Sequence, residues 1–84
     1  MNENEIRTIV LNALADVAPE ASPEELDAGS PIQEQLDIDS MDFLDFVQGL
    51  AERTGVEAPE RDYPELATID GCVGYLMAHA VPSP

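Results

Sequence analysis

Apolar residues recur at helical spacing in three separate stretches of this chain, and no segment alternates apolar and polar residues over the length of a strand. In the first stretch Ile6, Ile9, Val10, Ala13, Leu14 and Val17 fall on one side, predicting an amphipathic helix. Asn2 with Glu5 makes a capping pair at its start, and Pro19 stops it. In the second, from Ser40 to Arg53, Phe43, Leu44, Phe46, Val47, Leu50 and Ala51 take one side, and Asp42, Asp45, Gln48 and Glu52 take the other. Asp39 is its N-cap, Asp42 complements the positive end of the helix dipole, and Gly55 supplies the C-terminal stop. In the third, Thr68 caps a stripe of Ile69, Cys72, Val73, Leu76, Met77 and Ala80 that ends at Pro82. Gly71 and Gly74 each weaken that helix by ~1 kcal/mol relative to alanine.

A long connection, residues 18–39, joins the first two helices and contains Pro19, Pro23, Gly29 and Pro31, with a short turn at Pro23–Leu26. Twenty or so structureless residues would be unusual in a small domain. Leu26, Ile32, Leu36 and Ile38 are spaced along it, however, which predicts an ordered crossover pinned to the core. Pro59 and Pro64 leave room before Leu66 for little more than one helical turn. The expected fold is all-α: a small bundle of three main helices plus one short helix, forming a single domain over residues 1–84. A chain of this size hides only ~60–65% of its unfolded surface, so its core is marginal.

Charge changes the picture. Eighteen acidic residues face three arginines (Arg7, Arg53, Arg61) and no lysine, for a net charge of −15. Such a surface repels phosphate backbones and anionic lipid heads, which argues against nucleic acid or membrane as partners. It favours proteins with basic patches, and loose association of divalent cations. The one cysteine, Cys72, cannot form an internal disulfide, and the start Met1–Glu5 has neither the basic nor the apolar run of a targeting segment. No apolar stretch is long enough to span a bilayer. The expectation is a cytoplasmic monomer.

Ser40 is the residue with chemical potential. It opens an amphipathic helix, behind a capping acid, where a hydroxyl is exposed and unpaired backbone N–H groups could meet a phosphodiester. Asp39 and Asp42 oppose that second negative charge, so the dipole alone does not decide the matter. Asp39-Ser40-Met41-Asp42, followed by Leu44, Asp45, Val47, Leu50 and Glu52, resembles the signature of the acyl carrier proteins. Ala58-Pro59, Thr68-Ile69, the helix order and the length extend the resemblance over essentially the whole chain.

The resemblance implies a carrier rather than an enzyme. A phosphopantetheinyl transferase would join 4′-phosphopantetheine from coenzyme A to Ser40, and acyl-loading and acyl-processing enzymes with basic docking patches would be the partners. Asp42, Asp45 and Glu52 would form the recognition face, with Met41 as an apolar contact beside the arm. The helical wheel supports this separately, since those three acids lie within about a quarter of the circumference. Cargo would be an acyl or aminoacyl thioester in fatty acid, polyketide or related biosynthesis, with the bundle interior sheltering it. Carriers of the fatty acid pathway usually have a glycine shortly before the serine, where this chain has Asp37, and Pro64 interrupts the third helix; both departures lean towards a specialised member. An aminoacyl or aryl carrier, and an unmodified acidic docking module in which Ser40 is only a cap, stay open as alternatives.

Other constellations fare worse. A calcium loop beginning at Asp37 would need an acid or asparagine, then glycine, then glutamate where the chain has Met41, Asp42 and Gln48, so no metal site is expected. His79, the only histidine, could complete a triad with Ser40 only if the last helix met the start of the second, and no oxyanion hole announces itself. Cys72 sits on an apolar stripe and reads as core. Phe43 and Phe46 read first as packing and second as lining of a cargo cavity.

Overall fold

The computed structural model describes residues 2–79. Helix α1 spans Glu3–Val17, α2 Ile32–Leu36, α3 Ser40–Thr54 and α4 Ile69–His79, with 3-10 segments at Pro23–Glu25 and Glu60–Leu66. The architecture is the expected all-α bundle, without strands among the described residues. Ala80 and Pro82, the predicted end of the last helix, lie outside those residues.

Helix α1 is the spine, and α3 and α4 both pack along it. Ile6, Val10, Ala13 and Leu14 of α1 meet Phe43, Phe46, Val47 and Leu50 of α3 and Ile69, Cys72, Val73, Tyr75 and Leu76 of α4 in one continuous core. Each fully buried Leu, Ile or Phe contributes ~1.5–3 kcal/mol, which is how so short a chain offsets its ordering entropy. The caps read from the sequence are present. The Asn2 carboxamide oxygen accepts from the Glu5 N–H at 2.8 Å, and the Thr68 hydroxyl accepts from the Gly71 N–H at 2.9 Å. Gly55 closes α3 at φ 75°, a left-handed conformation that favours glycine.

The crossover is ordered, as its apolar residues predict. Ile32 is fully buried, and Leu26, Leu36 and Ile38 pack against the core. Two backbone bonds fasten it to the far end of the chain: the Ile32 N–H donates to the Ala67 carbonyl at 2.8 Å, and the Asp70 N–H donates to the Ala28 carbonyl at 2.9 Å. The Gln35 side chain braces it from within, accepting from the Asp27 N–H at 2.8 Å and donating to the Asp27 carbonyl at 2.9 Å. Hydrogen bonds from the Ser30 hydroxyl and the Gly29 N–H hold the Asp27 carboxyl below its ordinary value.

Four details differ from the sequence reading. The crossover contains α2, a five-residue helix too short to show a period. The segment between the prolines is 3-10 rather than α and runs for seven residues, because Pro64 inside it lacks an N–H and breaks the i→i−4 ladder. Leu44 and Met77, placed on the apolar stripes, are 37% and 47% exposed at the stripe edges. Tyr75 is buried instead, since α4 turns its contact arc towards Glu60–Leu66. Its phenol donates to the Asp62 carboxylate at 2.7 Å, which satisfies its polar end.

Candidate functional site

The start of α3 is built by local chemistry. Asp39 is extended at φ −88°, ψ −178°, and its carboxylate accepts from the Asp42 N–H at 2.9 Å, so the helix begins at Ser40. The N–H groups of Ser40 and Met41 then have no intrahelical acceptor. Ser40 is exposed, and among the described residues its hydroxyl makes no hydrogen bond. An attached phosphodiester would therefore have two free backbone donors beside it and no competing bond to break. These residues fit a phosphate-linked arm, with Asp39 and Asp42 as the opposing charges.

The preceding turn explains a departure noted in the sequence. Asp37 ends α2 at φ 53°, ψ 40°, the one positive φ at a non-glycine residue among those described. That conformation favours glycine, and aspartate is among the few other residues that adopt it readily. The aspartate that stands where a glycine is usual is thus accommodated by the turn.

Outward from Ser40 the four residues of the predicted recognition face lie on α3: Met41 is 74% exposed, Asp42 is half-buried, and Asp45 and Glu52 are exposed. None of these acids is held in an ion pair among the described residues. The arginines that pair do so elsewhere, Arg7 with Asp70 at 3.1 Å and Glu3 at 3.8 Å, and Arg53 with Asp16. Negative potential along α3 is therefore not cancelled locally.

Beside Ser40 lies an open groove of ≈550 Å³, which Phe43 and Leu44 share with Gln33 of α2 and with Glu60, Tyr63, Pro64 and Ala67. Sequence reading assigned none of these last five to the site, because they come from elements brought together only by the crossover and the 3-10 segment. Leu44, read as core, is a groove wall.

The competing constellations do not assemble. The His79 ring packs against Tyr75, with centroids 4.1 Å apart, rather than against Ser40. Cys72 is fully buried, its thiol contacts the Leu66 carbonyl at 3.3 Å, and burial pushes its pKa up to about 12. Among the described residues, no cluster of three metal-ligating side chains forms, and no helix is long and apolar enough to cross a membrane.

Comparison with known proteins bears on this site directly. The family described as "Phosphopantetheine attachment site" matches residues 8–76, from the first turns of α1 to near the end of α4. The acyl carrier protein of Campylobacter hominis is 35% identical over 86% of this chain and 85% of its own length. That of Lactobacillus johnsonii is 32% identical over 94% of this chain and 98% of its own. The acyl carrier protein of Chlamydia trachomatis is 27% identical over 92% and 94%. With the helix order, the capped serine and the unpaired acids in place, the chain belongs to the acyl carrier proteins, the family that bears the phosphopantetheine arm.

Proposed function

We propose that Ser40 is the attachment point of 4′-phosphopantetheine and that the protein carries acyl groups between enzymes without performing chemistry of its own. The observation that carries the assignment is the exposed, unbonded Ser40 hydroxyl opening α3 within the Asp39–Asp42 segment, inside the region shared with the family. In the transfer, Ser40 Oγ forms a new bond to phosphorus, the pyrophosphate link of coenzyme A breaks, and the nucleotide part leaves. The serine proton passes to a base of the transferase, since no described side chain accepts a hydrogen bond from Ser40. Once attached, the arm supplies a terminal thiol that holds cargo as a thioester. The chain's own thiol cannot substitute: Cys72 is buried and its pKa of about 12 keeps it protonated.

Partner choice follows from charge. Asp42, Asp45 and Glu52 offer unpaired carboxylates along the helix that begins at Ser40, and Met41 offers an apolar contact beside it. A phosphopantetheinyl transferase and acyl-processing enzymes with basic surfaces around their active-site mouths would be steered to the arm by this face. Residues 1–84 would act as one such domain, in the reducing cytoplasm where a single free cysteine persists.

Incubation with coenzyme A, magnesium and a broad-specificity transferase should add one phosphopantetheine to the protein by intact mass. Ser40→Ala should add none and remain folded, because the cap belongs to Asp39 and not to Ser40. Addition to the alanine variant would remove Ser40 from the role. No addition to either would favour an unmodified docking module.

A further inference from the structure

Of the large apolar side chains described, Met41 is the most exposed, at 74%. It follows Ser40 directly in the first turn of α3, and it belongs neither to the core nor to the apolar residues that pack against the core. Nothing in the packing of the fold depends on its thioether. The other sulfur atoms described are placed differently. The Cys72 thiol is buried and held protonated, which shields it from oxidants. Met77 is 47% exposed but lies on α4, not on the helix that Ser40 opens. One freely accessible sulfur therefore stands beside the attachment serine, on the same helix as the unpaired carboxylates of Asp42 and Asp45.

Resting on the assignment of Ser40 and of α3 as the docking face, we propose that Met41 is an oxidation site that controls docking: a peroxide converts its thioether to the sulfoxide, and the sulfoxide form is a poor substrate for the phosphopantetheinyl transferase. In that step a lone pair of the sulfur attacks one oxygen of hydrogen peroxide, the O–O bond breaks, and the other oxygen leaves as water. Sulfur gains an S=O bond and is oxidised by two electrons, and the peroxide is reduced by the same two. The thioether suits a docking contact because it is flexible and polarizable and adapts to different partner surfaces. The sulfoxide is polar, and burying its oxygen against an apolar partner surface is costly unless a donor meets it. Because Met41 lies outside the core, the change leaves the fold intact and its effect falls on the interface. The step is reversible, since a methionine sulfoxide reductase removes the oxygen as water while two of its thiols become a disulfide. The charge of α3 is unaltered throughout, so salt does not relieve the loss as it would relieve the removal of carboxylates.

The test treats the full chain with hydrogen peroxide before arm attachment, removes the peroxide with catalase, and locates the added oxygen by peptide mass mapping. Transfer of phosphopantetheine is then timed for treated and untreated protein at low and at physiological salt. The treated protein should carry the oxygen on Met41 and transfer about 10-fold or more slowly at both salts, the size expected for an unmet polar oxygen in an apolar contact. Its melting temperature should not change, and sulfoxide reductase should restore the rate. The ratio of treated to untreated rates should fall in Met77→Leu as it does in the unsubstituted protein, and should not fall in Met41→Leu, whatever the starting rate of each. The proposal is overturned if Met41 stays unoxidised, if its oxidation leaves the rate unchanged, if Met41→Leu shares the loss, or if the loss comes with a lower melting temperature. No arm addition to the untreated protein would instead remove Ser40 from its role, and this inference with it.

Discussion

Helices α3 and α4 both lay an apolar stripe on α1, yet they treat their remaining groups in opposite ways. On α4 almost every polar feature is engaged: Thr68 caps it, the Cys72 thiol meets the Leu66 carbonyl, and the Tyr75 phenol reaches Asp62. Even Gly71 is used, because a Cβ there would come within 2.3 Å of the Glu65 backbone carbonyl oxygen. On α3 the outward carboxylates of Asp45 and Glu52, the Met41 side chain and the Ser40 hydroxyl are exposed and find no ion-pair or hydrogen-bond partner among the described residues. A small acidic bundle that could have used these groups for its own stability leaves them available. The contrast marks α4 as a structural clamp on the 3-10 segment and leaves α3 as the element with groups free for the partners proposed above.

The clamp can be broken most sharply at Gly71. Gly71→Ala gains helix propensity but forces the new methyl into the Glu65 backbone, so α4 or the 3-10 segment must shift. We expect a net loss of ~1–3 kcal/mol, read as a lower melting temperature or denaturant midpoint. The same substitution one turn later should have the opposite sign. A Cβ on Gly74 meets nothing within 4 Å, so Gly74→Ala should stabilise by up to ~1 kcal/mol. Equal signs at the two glycines would mean that α4 slides freely on the 3-10 segment and is no clamp.

Alkali gives a second handle on the contacts of α4. The Asp62 hydrogen bond, burial and nearby carboxylates raise the Tyr75 pKa from 10.0 to about 12, and burial raises that of Cys72 from 9.0 to about 12. Above the unfolded values the unfolded chain sheds these protons while the folded one keeps them, so the folded state binds more protons and stability falls as pH rises. Stability should be level with respect to both groups below about pH 9 and decline through pH 9–12. Tyr75→Phe should flatten the part of that decline above pH 10 in denaturant titrations. A decline unchanged by Tyr75→Phe would show that the Asp62 contact does not persist in solution.

What was legible in the sequence is what short-range chemistry determines. The Asp39 cap, the serine at the first turn, the stop at Gly55 and the central stripes of α1, α3 and α4 all depend on neighbours within a turn or two. The edges of those stripes do not, because burial there depends on which neighbour a helix leans towards. Leu44 was therefore lost from the core to the groove, and Tyr75 was gained by the core through its partner Asp62. Helix α2 escaped notice because five residues carry no period, and Asp37 looked like a departure until its left-handed backbone showed why glycine or aspartate serves there. The groove was invisible for a simpler reason. Glu60 and Tyr63 lie far from Ser40 in sequence, and the crossover's bonds to Ala67 and Asp70 help bring their elements together.

The central claim is that α3 faces partners through specific carboxylates rather than through bulk charge, and arm-transfer kinetics test it most directly. Asp42→Lys/Asp45→Lys and Glu20→Lys/Glu24→Lys change the net charge of −15 by the same amount, but only the first pair alters α3. Transfer of phosphopantetheine to each double variant would be measured against ionic strength. The account predicts that the α3 variant loses ~10-fold to ~1000-fold in transfer rate at low salt through slower association, a loss that shrinks as salt screens the field. The crossover variant should stay close to the unsubstituted protein. Equal losses in the two variants would contradict the account and return the acidic face of α3 to ordinary solvated surface.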